Sequence, residues 1–285
     1  MGSPRPVVTR FDHVTIATKD IDVAVASYAS LLGRQPTWRG SHPELGTEGA
    51  LFGLDNALIE LTAPHPSAEE SQGLREWMTT AGEGLQAIAF GTDDAAACSK
   101  ALRERGLRAT PPQPGEARGE DGTVRRYTTV ELSPKATRGL PVLIAERADF
   151  SSLTEPEGAD QGSVHALDHV VIRTGDVAAT KALYEVGLGI RLALERDLQG
   201  TRMLFFRVGG VTLEVIEDTT LAATDVFYGV AYRVRDLHAA HERLIAQGVD
   251  ASEIRAGHKA GTQVLTVRDK THEVPTLFLH DPARG

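Results

Sequence analysis

The chain has one cysteine, Cys98, in 285 residues. An internal disulfide is excluded, as is any zinc site built on thiolates, and with no oxidative staple a reducing cytoplasm is the expected compartment. The chain also lacks a run of 18 apolar residues, and its opening Met1-Gly2-Ser3-Pro4-Arg5-Pro6 has no apolar signal core, so neither a membrane span nor a secretory leader is expected. Positive charge is in deficit: 30 Lys and Arg face 39 Asp and Glu, leaving a formal charge of -9. The net field repels nucleic acid and anionic membrane and argues against both as partners. Also missing are a Gly-rich phosphate loop, a Ser-His-Asp arrangement and a Cys-His dyad. The remainder, 41% hydrophobic and 24% charged, suffices for a hydrophobic core in each of two domains.

Internal repetition organises the rest. Phe11-Asp12-His13-Val14-Thr15-Ile16 recurs as Leu167-Asp168-His169-Val170-Val171-Ile172, at an offset of 156 that also relates Tyr28 to Tyr184 and Gly33 to Gly189. Gly46-Thr47 matches Gly200-Thr201, and Ile59-Glu60-Leu61 matches Leu213-Glu214-Val215, both at an offset of 154. A second repeat lies within each half: Leu85 to Phe90 and a helical stretch ending at Gly106 parallel Phe227 to Tyr232 and a helix ending at Gly248. The order is therefore strand, helix, three strands, four times over. Residues 1–148 are expected to form a first domain and 164–285 a second. The segment 149–163, rich in Glu, Pro, Gly and Ser, reads as the linker.

Local patterning says which side chains share a face. Ala24, Tyr28, Leu31 and Leu32 fall at helical spacing behind Asp20 and Asp22, with Gly33 suited to the end of the helix. Leu237, Ala240, Leu244 and Ile245 make the apolar face of the last helix. Strands alternate: Val14 and Ile16 point one way and His13 and Thr15 the other, while Ile59 and Leu61 oppose Leu58, Glu60 and Thr62. If helices cover the aliphatic side, His13 and Glu60 meet on the concave side, as do His169 and Glu214. A carboxylate set among apolar strand neighbours costs several kcal/mol, on the order of a lone buried charge, unless paired. A facing imidazole, or a cation between the two, relieves that cost. A plain hydrogen-bonded pair, or a Glu60 facing solvent, satisfies the same residues.

A strand-one histidine in an Asp-His-Val context, an amphipathic helix ending near Leu-Gly and a fourth-strand Ile-Glu-Leu resemble the vicinal-oxygen-chelate superfamily (glyoxalase, bleomycin-resistance and dioxygenase proteins), over residues 11–147 and 165–281. The resemblance implies an α+β fold of four βαβββ modules in two domains with concave mixed sheets. It also implies a divalent metal (Fe, Mn, Ni or Zn) on His13 and Glu60 and on His169 and Glu214. Ala87 and Gly229 stand where modules two and four would carry a histidine, and Leu143 and Leu277 near the carboxylate position. Neither domain alone therefore offers four ligands. Pairing of module one with two is the default from chain order. Pairing of one with three would gather His13, Glu60, His169 and Glu214 into one site.

Gly40 to Thr47 resembles the His-Pro-x-x-Gly-Thr segment of a glyoxalase-like subfamily that often continues to an Asn; here Gly49 stands at that place. His42 is a candidate third ligand, acid/base group or substrate contact, beside the plain reading of a turn histidine before a proline. Of Arg125 and Arg126, which head a strand with Tyr127, one enters the second module's cavity to meet an anionic substrate unless both are solvated. His241 reads as a core or interface residue and His238 as solvated. His65, His258, His272 and His280 show no partner pattern. The function these features imply is a metal-dependent isomerase or lyase of glyoxalase type. It would act on a small oxygen-rich or carbonyl-containing molecule, with Glu60 and His42 carrying protons. The alternative is a metal-free binding protein of antibiotic type. An extradiol dioxygenase is disfavoured by Gly229 and Leu277. A homodimer is compatible with either reading.

Overall fold

A computed structural model of the chain describes residues 7–154 and 160–283. The opening residues read above for a leader, and the middle of the 149–163 segment, lie outside the described residues. The first module runs β1 (Arg10–Ala17), α1 (Ile21–Leu32), β2 (Trp38–His42), β3 (Thr47–Gly53) and β4 (Leu58–Pro64). Helix α1 forms where the pattern places it: the Asp20 side chain accepts from Val23 N–H, Gly33 ends it at φ 70, and Ala24, Tyr28, Leu31 and Leu32 are all buried. An amphipathic helix, α2 (Gln72–Ala81), precedes the second module. That module runs β5 (Gly84–Gly91), α3 (Ala95–Glu104), β6 (Gln113–Gly119), β7 (Val124–Glu131) and β8 (Val142–Glu146).

The first eight strands close into a barrel in the order β1-β4-β3-β2-β6-β7-β8-β5. Strand β1 joins β5 antiparallel on one side, and on the other β2 meets β6 through Gly40 opposite Gly119 and Ser41 opposite Arg118. Gly40 makes this second seam possible, because a Cβ there would run into the Arg118 carbonyl. Module one thus pairs with module two. The segment read as the linker contains a short helix, α4 (Phe150–Thr154). Its Leu153 joins Trp38, Leu51, Leu58 and Ala117 in a small separate core, because one turn of helix buries an apolar side chain that an extended linker would expose.

The second half repeats the order: β9 (Val164–Thr174), α5 (Val177–Lys181) continued by a π-type turn to Gly187, β10 (Arg191–Leu198), β11 (Thr201–Val208), β12 (Val211–Glu217), β13 (Asp225–Val234), α6 (Leu237–Ala246), β14 (Arg255–Ala256), β15 (Gln263–Val267) and β16 (Thr276–His280). Here the eight-stranded sheet stays open, with β10 and the two-residue β14 at its edges. Ile245, assigned above to the buried face of α6, is 52% exposed; Leu237, Ala240 and Leu244 alone suffice to seat the helix. Among the described residues no helix is long and apolar enough to cross a membrane.

Two reciprocal clasps join the halves. Arg138, at φ 59 between β7 and β8, donates through Nε to Asp225 Oδ1 and Thr180 Oγ1, each at 3.0 Å. His272, at φ 50 between β15 and β16, places Nδ1 3.2 Å from Glu83 Oε2 and 3.2 Å from Thr18 Oγ1. Each loop thus sends a basic residue in left-handed backbone to an acid and a threonine of the other half. His272, which shows no partner pattern in the sequence, is therefore partnered, by residues more than 180 positions away in the chain.

Candidate functional site

The barrel holds a cavity of about 630 Å³, open on one side, and the face predicted to be concave supplies its floor. His13, Thr15, Glu60 and Thr62 line it, whereas Val14, Ile16, Ile59 and Leu61 are buried in the main core. The register of β1 against β5 shifts between Phe11 and His13, and this bulge sets Asp12 beside His13. Asp12 Oδ1 lies 2.7 Å from His13 Nδ1, so that nitrogen carries a proton and Nε2 is turned toward Glu60 Oε2, 3.2 Å away. Asp12 is fully buried and also gathers Arg147 at 3.3 Å and Arg10 at 3.6 Å.

The electrostatics follow from this packing. Burial alone would push His13 down, but the Glu60 carboxylate and the Asp12 bond raise it to about 9, so it is an imidazolium at neutral pH. Burial would lift Glu60, yet the His13 charge and hydrogen bond, with His42 and Arg147 behind them, hold it well below the usual carboxylate range. Asp12 is likewise lowered against its burial, by Arg147 first and then His13. Thr15 completes the floor by donating from Oγ1 to Glu60 Oε2 at 3.0 Å.

His42 closes β2 and opens the turn at Pro43, as the plain reading has it, but its side chain is buried at the cavity wall. Its Nδ1 is 2.9 Å from the Tyr127 hydroxyl, and its ring meets those of Trp38 and Tyr127 edge-on at 5.6 and 5.9 Å. Its Nε2 is buried without a hydrogen-bond partner, 3.6 Å from Glu60 Oε1. Burial lowers the His42 pKa, Arg125 and Arg147 add to the effect, and Glu60 opposes it, so His42 is neutral at pH 7. Burial pushes Tyr127 up to about 12, and it keeps its proton. A Cβ at Gly49 would stand in ordinary contact with the His42 ring at 3.6 Å and closer, at 3.3 Å, to the Leu61 carbonyl.

Strand β7 turns Arg125, Tyr127, Thr129 and Glu131 into the cavity by its two-residue period and leaves Arg126 outside, its side chain 78% exposed. Ala87 and Leu143 line the cavity where a histidine and a carboxylate would complete the resemblance. Sequence reasoning missed Asp12, Thr15, Tyr127 and Arg147 as site residues. Alternation along β1 and β7 could have found Thr15 and Tyr127. No local signal marks Arg147, which follows the end of β8.

His169 and Glu214 form a looser copy in the other sheet. Nε2 to Oε2 is 3.6 Å, Asp168 Oδ2 lies 2.9 Å from His169 Nδ1, and Arg233 lies 3.6 Å from Asp168. Pairing of β1 with β5 and of β9 with β13 divides the two His–Glu pairs between two sheets, so they do not make one four-ligand site. In the first half His13, His42 and Glu60 supply the nitrogen and carboxylate donors a divalent cation takes. Their arrangement is another matter. Among the described residues no group of three or more His, Cys, Asp or Glu side chains is set to hold a metal ion. As placed, His13 and Glu60 form an ion pair.

A family model described as the glyoxalase-like domain matches residues 11–188, and one described as the glyoxalase/bleomycin resistance protein/dioxygenase superfamily matches residues 166–273. The chain is 30% identical over 102 residues to the ethylmalonyl-CoA/methylmalonyl-CoA epimerase of Cereibacter sphaeroides, covering 36% of this chain and 75% of that protein. A triple mutant of 4-hydroxymandelate synthase from Streptomyces coelicolor superposes with a TM-score of 0.69 at 15% identity, over 96% of this chain and 93% of that one. A hypothetical protein from Staphylococcus aureus does so with a TM-score of 0.63 at 10% identity, over 95% and 98%. Both structural matches speak for the two-domain fold alone.

Proposed function

We propose that this chain, which belongs to the glyoxalase-like domain family, is an enzyme of isomerase or lyase type that moves a proton on a carbon next to a carbonyl of a small molecule held in the barrel. The working cavity lies in the first domain, taken as residues 1–148, with residues 164–285 as a second domain of mainly structural role. The observation that carries the reading is the Glu60 carboxylate at the cavity floor, 3.2 Å from His13 Nε2 and 3.6 Å from His42 Nε2, with its own pKa lowered, that of His13 raised and that of His42 lowered.

The chemistry follows from these charge states. A substrate carbonyl oxygen that takes over the His13 Nε2–H bond is polarised by the imidazolium, and Glu60 loses the partner that holds its basicity down. The freed carboxylate then accepts the proton from the adjacent carbon. The C–H bond breaks, an O–H bond forms on Glu60, and the electron pair moves to the carbonyl oxygen facing His13. Return of the proton to carbon completes an isomerisation, and loss of a leaving group completes an elimination. His42, hydrogen-bonded by Tyr127, is the second proton carrier within reach. The curated relative's name, an epimerase of acyl-CoA compounds, supports the same elementary step.

The test is hydrogen exchange. Small carbonyl compounds incubated with the protein in D2O should lose the signal of the C–H beside the carbonyl, and Glu60→Gln should abolish the loss. Compounds that bind the cavity and exchange nothing would leave the binding-protein reading in front.

One observation favours a metal-dependent form of this reaction: the buried, unpartnered and neutral His42 Nε2 beside Glu60. Glu60 would have to part from His13 for the donors to converge. In that form, Mn, Ni or Zn should raise the melting temperature of the wild type and not of Glu60→Gln. Indifference of the wild type to these metals would remove it.

A further inference from the structure

Two arginines in the barrel cavity carry no proton in the proposed transfer. Arg125 is nearly buried, with 11% of its side chain exposed, and is held from behind: its Nε bonds Asp149 Oδ2 at 2.6 Å and its guanidinium lies 4.9 Å from the centre of the Trp38 ring. Arg147, with 7% of its side chain exposed, is held by Asp12 at 3.3 Å. Both line the cavity, and both fields act on the same two groups, His42 and Tyr127.

We infer that Arg125 and Arg147 form an oxyanion subsite, so that the substrate is an anionic carbonyl compound, bearing a carboxylate or a phosphate group, rather than a neutral one. The deduction rests on donor count. A guanidinium has five N–H donors in a planar fork, and at Arg125 the only hydrogen bond to the described residues uses Nε. The Trp38 ring and the Asp149 bond hold that guanidinium in place, so little side-chain freedom is lost when an oxyanion docks. The remaining acids of the lining oppose anions only at the rim: Glu44, Glu70 and Glu131 are exposed, and Glu116 is paired with Arg118 and Arg126. The inference deepens the proton-transfer reading and rests on it, because both arginines line the same cavity as His13 and Glu60.

Binding of simple probes to the full chain tests it without any turnover, so its failure and that of the proton-transfer reading are separate. Propionate, inorganic phosphate and the neutral isostere propionamide are titrated while the ring protons of His42 are followed by NMR. Saturable shifts with propionate or phosphate are expected, with propionamide at least tenfold weaker; whichever anion binds more tightly identifies the group. Arg125→Gln, in protein that remains folded, should weaken the anion at least tenfold. Should that variant fail to fold, Arg125→Lys, which keeps the charge and loses the fork, takes its place. Propionamide binding as well as propionate, no His42 shift with either anion, or undiminished binding in a folded variant would overturn the subsite.

Discussion

His13 Nε2 stands 3.2 Å from Glu60 Oε2, although in the parallel β1–β4 ladder His13 sits opposite Leu58 and Glu60 opposite Thr15. The carboxylate leans back along its strand, and Thr15 follows it with a hydroxyl bond to the same oxygen. The diagonal leaves Oε1 turned toward His42, so one carboxylate serves two imidazoles of opposite charge state.

Removing the Glu60 charge should return His13 toward an ordinary histidine. In Glu60→Gln the His13 titration, followed by its ring-proton shifts, is expected well below its wild-type position near 9. The variant should also unfold more easily, by about 3–5 kcal/mol, the range for stripping one partner from a buried pair. An unmoved His13 titration would mean that Asp12 alone sets its charge.

Stability should depend on pH in a defined window. His13, raised to about 9 from 6.5, stabilises the fold fully below pH 6.5, and the contribution is lost as pH rises through about 9. The whole effect is on the order of 3 kcal/mol. Glu60, lowered, contributes at neutral pH and is lost as pH falls below the ordinary carboxylate range. His42, also lowered, favours unfolding below pH 6.5. Denaturant midpoints should therefore fall from pH 6.5 to 9 in the wild type and stay flatter in His13→Gln.

Tyr127→Phe removes the hydroxyl beside His42 and keeps the ring. A cost of about 1 kcal/mol in stability is expected, as for one buried hydrogen bond. The exchange rate should fall further than stability, because His42 loses the contact that orients it; equal exchange in the two proteins would count against His42 as a proton carrier.

The looser pair of the second sheet should be dispensable. His169 and Glu214 are 18% and 19% exposed at their side chains and meet at 3.6 Å. Glu214→Gln is expected to change the melting temperature little and to leave exchange in the first half intact. Loss of exchange on this substitution would move the working site to the second half.

Arg138 holds the first of the two clasps between the halves. Its Nε holds Asp225, whose side chain is wholly buried, and Arg138→Met would leave that acid the Thr180 hydroxyl but no counter-charge. A loss of about 3–5 kcal/mol is expected in denaturant unfolding, largely recovered when Asp225→Leu is added. No recovery in the double variant would assign the clasp's contribution to its backbone bonds.

Much of this was legible in one dimension. The side-chain period of a strand is two residues and that of a helix near four, both local properties, so the repeated modules, the helix α1 and the shared face of His13 and Glu60 follow from the order of residues alone. The same alternation could have separated Arg125 from Arg126. What residue order left open is where distant strands meet. That His42 finds Tyr127 across 85 positions depends on the barrel closing at Gly40 and Gly119, a seam set by backbone approach rather than by any side-chain pattern. Arg147 reaches Asp12 from beyond the end of β8, and His272 crosses to Glu83 of the other half, in both cases because packing brings together charges that the chain keeps far apart. The charge states followed last: burial penalises every ion in the cavity, and only the full set of neighbours decides that His13 stays charged while His42 does not.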